Sequence, residues 1–158
     1  MIRRILTGLL TMLIATPALA LSCLRPDVRT AFAQVQEAEE TYIVVHGTLS
    51  FDASKLPQAV LNDSPPVTRI AARLMGTGLT ETGFDVAFER DVTLEVLCFG
   101  PWCGGAGDGA HYLAFLRQEG AGYVVSADPC ASLLFHEPKP EDLKTVAQCY
   151  KAGRCTGE

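Results

Sequence analysis

Six cysteines, three histidines and one glycine-rich run are the features of this 158-residue chain whose types and spacing invite chemistry. The cysteines are Cys23, Cys98, Cys103, Cys130, Cys149 and Cys155. Six thiols allow fifteen pairings, so spacing has to choose among them. Cys98 and Cys103 bracket Phe99-Gly100-Pro101-Trp102, a turn-like stretch able to close a small loop. Cys149 and Cys155 bracket a second short segment near the C-terminus. Those two pairings leave Cys23–Cys130 as a long-range staple. Redox chemistry of the thioredoxin type uses a Cys-x-x-Cys spacing, whereas four residues separate Cys98 from Cys103. A structural zinc site wants paired short Cys/His spacings, and His46, His111 and His136 are scattered.

The run Gly104-Gly105-Ala106-Gly107-Asp108-Gly109-Ala110 can be laid on the loose dinucleotide pattern through Gly105, Gly107 and Ala110. That motif must open a helix whose N-terminus holds the pyrophosphate, but residues 111–117 read as a strand. No Lys-Ser or Lys-Thr follows to make a P-loop, and Asp108 alone does not make a calcium-binding repeat. The run is expected to be a flexible connection. Neither Gly-x-Ser-x-Gly nor His-Glu-x-x-His occurs. No catalytic residue, metal ligand or cofactor is therefore assigned. Trp102, the single tryptophan, sits at the tip of the small loop. An exposed, covalently fixed Trp is a good contact anchor for a partner; the alternative is that it packs on the mouth of the fold.

The first twenty residues explain why disulfides are expected. Arg3 and Arg4 precede a short apolar run, Pro17 breaks it, and Ala18 and Ala20 are the small residues a signal peptidase requires. Residues 1–20 are read as a secretory signal cut after Ala20, and residues 21–158 as one domain. The run is too short to span a bilayer. A rival cut before Cys23 would make a lipoprotein, but Ala20 replaces the usual Leu three positions ahead. Losing Arg3 and Arg4 takes 13 cations to 11 against 18 acids, a net charge of about −7. That balance argues against nucleic acid and against an anionic membrane surface. An even cysteine count in an exported chain fits a secreted or periplasmic location.

The elements that must position these residues follow from periodicity. Residues 26–40 read as a helix, with Val28, Phe32, Val35 and Ala38 on one face and Pro26 and Asp27 in its first turn. Residues 42–49 are β-branched and aromatic, a strand. A loop fills 51–66, and a second strand covers 67–75, ending at Gly76-Thr77-Gly78. Residues 84–99 hold one or two strands, with a bulge or bend near Glu89-Arg90-Asp91. Residues 111–117 and 123–126 form a hairpin through Gln118-Glu119-Gly120-Ala121-Gly122. Residues 140–150 read as a last helix, with Leu143, Val146 and Tyr150 on one side. Strands joined by turns rather than crossover helices predict a mainly β fold, a small closed antiparallel barrel of about five strands with flanking helices.

Cys23 ahead of a helix, a strand at Tyr42 to Leu49, Trp102-Cys103-Gly104, then Tyr112-Leu113-Ala114-Phe115, a hairpin, Cys130 and a helix carrying Cys149 are the residues that matter next. Together they resemble the netrin-type module shared by tissue inhibitors of metalloproteinases and their bacterial relatives. The resemblance spans most of residues 23–155 and rests on short motifs. It implies a five-stranded OB-type barrel, with an N-terminal cysteine bonded to one late in the barrel. The inhibitors begin with Cys-x-Cys, whose terminal amine and carbonyl chelate the protease zinc. Here Leu21 and Ser22 precede Cys23 and the second cysteine is missing. The expectation is an exported, non-enzymatic binding module that engages a protein or envelope component. The alternatives are a secreted protease inhibitor and a small secreted hydrolase with a site assembled from scattered residues.

Overall fold

A computed structural model describes residues 21–58, 60 and 64–155. The secretory signal and its cut after Ala20 lie outside these residues. In chain order the elements are α1 (Val28–Glu37), β1 (Tyr42–Phe51), a 3-10 turn (Ala53–Lys55), β2 (Val67–Leu79), β3 (Phe84–Phe99), β4 (Trp102–Cys103), β5 (Ala110–Glu119), β6 (Gly122–Ala127), β7 (Leu134–His136) and α2 (Pro140–Ala152). The fold is mainly β, with two helices and three disulfides.

Local chemistry sets the ends of these elements. Asp27 caps α1 by accepting from the Arg29 N–H at 2.7 Å. The helix stops at Glu37 because Ala38 turns extended to lead the chain into β1, three residues sooner than periodicity suggests. Pro140 opens α2, the Asp142 carboxylate accepts from the Lys139 N–H at 2.9 Å, and Gly153 closes it at φ 66°. Tyr150 lies on the exposed side of α2, whereas Val146 and Cys149 are buried.

Five strands form a ring of pairings. The hydrogen-bonded path runs β1–β2–β3–β6–β5 and returns to β1, because β1 pairs with β2 on one edge and β5 on the other. β7 adds to the outer edge of β5, and β4 folds back on β3. The sheet is mixed, which corrects the expected all-antiparallel arrangement: β3 and β6 run parallel, Thr93 beside Val124 through Val96 beside Ala127. Alternation predicts which face a residue takes but not which strand lies next to it, and β5 intervenes in sequence between β3 and β6.

Closing the path creates two cores. Val45, Leu49, Phe51, Ile70, Leu74, Leu94, Val96, Tyr112, Ala114, Leu116 and Val125 fill the interior. On the outside of β1 and β5, Val44, Leu113 and Phe115 meet Val28, Ala31 and Phe32 of α1 and Val146 and Cys149 of α2. β5 is therefore buried on both faces, as its continuous apolar run requires.

The second strand runs through Gly76 and Gly78 to Leu79 instead of ending there. Gly47 of β1 pairs directly with Gly76 of β2. A Cβ on Gly47 would lie 2.3 Å from the Met75 carbonyl oxygen, and one on Gly76 would lie 2.1 Å from the His46 carbonyl oxygen. These glycines permit a close crossing of two backbones rather than a turn. Gly47→Ala is expected to force the strands apart and cost about 1–3 kcal/mol, read as a lowered urea midpoint. Residues 89–91 likewise do not break β3; its register with β2 shifts only at Gly78/Leu79.

Candidate functional site

β3 and β4 form a tight hairpin in which Cys98 opposes Cys103 and Phe99 opposes Trp102. The Cys98–Cys103 disulfide closes it, with Gly100 at φ 62° in the turn. Alternation along β3 turns Cys98 toward the interior, where it is buried, and leaves Phe99 outside. Val67 stands opposite Leu97, so Val67, Leu97, Phe99 and Trp102 share the outer face at this end of the sheet. Val67, Phe99 and Trp102 remain 47%, 46% and 37% exposed.

The hairpin is held from two sides, by Pro66 and by the end of β6. The Cys98 N–H donates to the Pro66 carbonyl at 2.9 Å, and the Gly104 N–H donates to the Leu97 carbonyl at 2.8 Å. Gly104 presses on the end of β6, where an added Cβ would lie 1.9 Å from the Ala127 oxygen. The chain just beyond β6 is organised by the Asp128 carboxylate, which accepts from the Cys130 N–H at 2.7 Å and the Ser132 N–H at 2.9 Å. Cys130 there is bonded to Cys23, which brings the start of the described chain to the same end of the sheet. The third disulfide, Cys149–Cys155, pins the segment after α2.

The glycine-rich run leads into β5, and its polar groups bond to the end of β1 and to β5 itself. Asp108 accepts from the Phe51 N–H at 2.8 Å, the Gly109 N–H donates to the Leu49 carbonyl at 2.8 Å, and the Tyr112 hydroxyl accepts from the Gly107 N–H at 2.6 Å.

Two histidines that are far apart in sequence come together. The rings of His46 and His111 lie 6.3 Å apart, because the register sets Thr48 opposite His111 and His46 lies two residues before Thr48 on the same face of β1. The Thr48 hydroxyl and His111 Nδ1 are 3.4 Å apart, and the His111 backbone N–H donates to Glu137 at 3.4 Å. His136 stands apart from them, against Tyr112. No group of three or more metal-ligating side chains forms among the described residues. Burial holds the His46 imidazole below its ordinary range and His111 adds to the effect, while Glu137 opposes it. The unfolded chain then takes up the proton first, so the contribution of His46 is full above the ordinary histidine value and is lost as pH falls through it. Urea midpoints measured at pH 7.5 and pH 5 should fall on acidification, and His46→Gln should reduce that fall.

Compared with known proteins, the chain matches no family model, no curated protein and no solved structure.

Proposed function

We propose that this chain is an exported OB-type binding module of the netrin-like kind, and that it engages a protein or envelope partner through the hairpin carrying Trp102. The observation that carries the reading is the exposed apolar set of Val67, Phe99 and Trp102 on a disulfide-closed hairpin. Other apolar side chains such as Met75 and Val86 are exposed elsewhere, but here three share one face of adjoining strands; contiguous apolar surface marks an interaction site, and a Trp already fixed in place loses little freedom on binding.

Other features support the architecture assigned here. Leaving β4 and β7 aside, the path runs first, second, third, fifth, fourth and back to first, the order of an OB barrel. The bond from Cys23, ahead of α1, to Cys130, beyond β6, fits the netrin-like pattern. Three disulfides suit an oxidising, extracytoplasmic compartment, and among the described residues no helix is long and apolar enough to cross a membrane. On the outer face of β2 and β3, Arg69 is bonded to Glu95 and Glu119, and Arg73 to Glu89 and Asp91. Around Arg73 the two carboxylates outnumber the one guanidinium and leave the patch net negative, which favours a protein partner over a nucleic acid.

A photocrosslinking residue tests the reading. In cells that export the whole chain, Trp102→p-benzoylphenylalanine is expected to give a discrete adduct that Lys151→p-benzoylphenylalanine, on the exposed side of α2, does not. Equal adducts from the two positions, or none from position 102, would overturn it. N-terminal sequencing of the exported protein is expected to begin at Leu21.

A further inference from the structure

β3 pairs with β2 from Phe84 to Leu97, but with β6 only from Thr93 to Val96. Ahead of Thr93 the two parallel strands separate, and residues 84–92 keep an edge that no described strand occupies. A cavity of about 190 Å³ marks the fork, lined by Asp91, Val92 and Thr93 on one side and Gly122, Tyr123 and Val124 on the other. Phe88 and Tyr123 meet edge to face beside it, with ring centres 5.7 Å apart. The backbone groups along this edge therefore have a long, open line of donors and acceptors, the arrangement that accepts an added strand.

The side chains say which strand. With Phe88 and Val92 turned to the core, alternation sets Asp85, Ala87, Glu89 and Asp91 together on the outer face. Three of the four are carboxylates. Hydroxyls of Thr80 and Thr82 hold Asp85 in place, and Arg73 of β2 holds Glu89 and Asp91. A second copy is a poor occupant. Antiparallel self-pairing about a two-fold axis opposes residues of the same face. Centred on Ala87 it sets Asp85 against Glu89; on Phe88, Asp85 against Asp91; on Glu89, that residue against its own copy; on Arg90, Glu89 against Asp91. Like charges directly opposite destabilise a strand pair. The same carboxylates favour a strand with cations at alternate positions, whose side chains would stand about 5 Å away.

We propose that the free edge of β3 binds an extended basic segment of a partner protein by β-addition, with Lys or Arg at every second residue over Asp85, Glu89 and Asp91. This surface lies on β3 well before the Trp102 hairpin and stands independently of it. The test uses the whole exported chain and a fluorescent decapeptide of alternating lysine and threonine, followed by anisotropy at physiological salt. Binding is expected, and it should weaken at least tenfold for a glutamate–threonine peptide and for the lysine peptide with N-methylated backbone amides. The variant Asp85→Lys/Asp91→Lys should reverse the preference between the lysine and glutamate peptides. Equal affinity for the N-methylated peptide would reduce the effect to charge alone and overturn the proposal. Absence of binding, or sedimentation of the wild-type chain as a dimer that Asp85→Lys/Asp91→Lys dissolves, would overturn it as well.

Discussion

Serine at both Cys23 and Cys130 is expected to lower folding stability by about 3–5 kcal/mol, the largest loss from removing any one of the three disulfides. The bond closes a loop of 107 residues, whereas Cys98–Cys103 and Cys149–Cys155 span 5 and 6. Loop-closure entropy grows with the logarithm of length, so the long bond restricts the unfolded chain by about 5 kcal/mol and each short one by roughly 2. Part of the larger figure is returned, because the exposed, irregular residues 21–27 regain freedom in the folded protein once the bond is gone. The loss remains a large share of the stability of an ordinary domain, which is about 5–15 kcal/mol. Urea unfolding of Cys23→Ser/Cys130→Ser beside Cys98→Ser/Cys103→Ser checks the order. A larger loss from the short pair would show that the hairpin disulfide acts on the folded state and not through the unfolded one.

Much of this architecture is legible in the sequence where a strand is both long and chemically uniform. Residues 42–49 and 111–117 announce β1 and β5 because β-branched and aromatic residues are dense there. Gly120 between β5 and β6 takes the positive φ that a tight hairpin needs. The misreadings have physical causes. Gly76 and Gly78 look like a turn, since a glycine that lets two backbones touch and a glycine that bends one carry the same letter. β7 has three residues, too few to show a period. The parallel contact of β3 with β6 depends on which strands come together, which alternation does not encode.

The candidate site divides in the same way. Trp102 can be singled out from its place between two near cysteines, but its exposure beside Phe99 and Val67 depends on the β2–β3 register. The pairing of His46 with His111 has no sequence signal, because it is a diagonal contact two residues along the β1–β5 ladder. The free edge of β3 is equally silent. Glu89 and Asp91 look like part of a bulge or bend, and Asp85 carries no signal, until the fork with β6 is seen.

Phe115→Ala is expected to cost about 3–5 kcal/mol, in the upper part of the range for core truncations. Phe115 is 1% exposed and lies between the outer face of β5 and the two helices. The surroundings have little room to collapse into the space it leaves. Its strand is paired with β1 on one side, Val44 opposite Phe115, and its own N–H donates to the Leu133 carbonyl at 3.0 Å on the other. Phe135 meets its ring edge to face with centres 6.1 Å apart, an interaction worth roughly 0.5–1.5 kcal/mol beyond area alone. A double-mutant cycle with Phe135→Ala should return a coupling of about that size. A loss below roughly 1 kcal/mol for Phe115→Ala would mean that the helices are not fastened through this residue. Phe115 belongs to the helix-side core, whereas Trp102 stands on a hairpin braced by Pro66 and Ala127. Crosslinking through position 102 should therefore persist in the Phe115→Ala background at temperatures below its lowered melting point, because the element that makes contact is held by a disulfide and the closed sheet rather than by the helices.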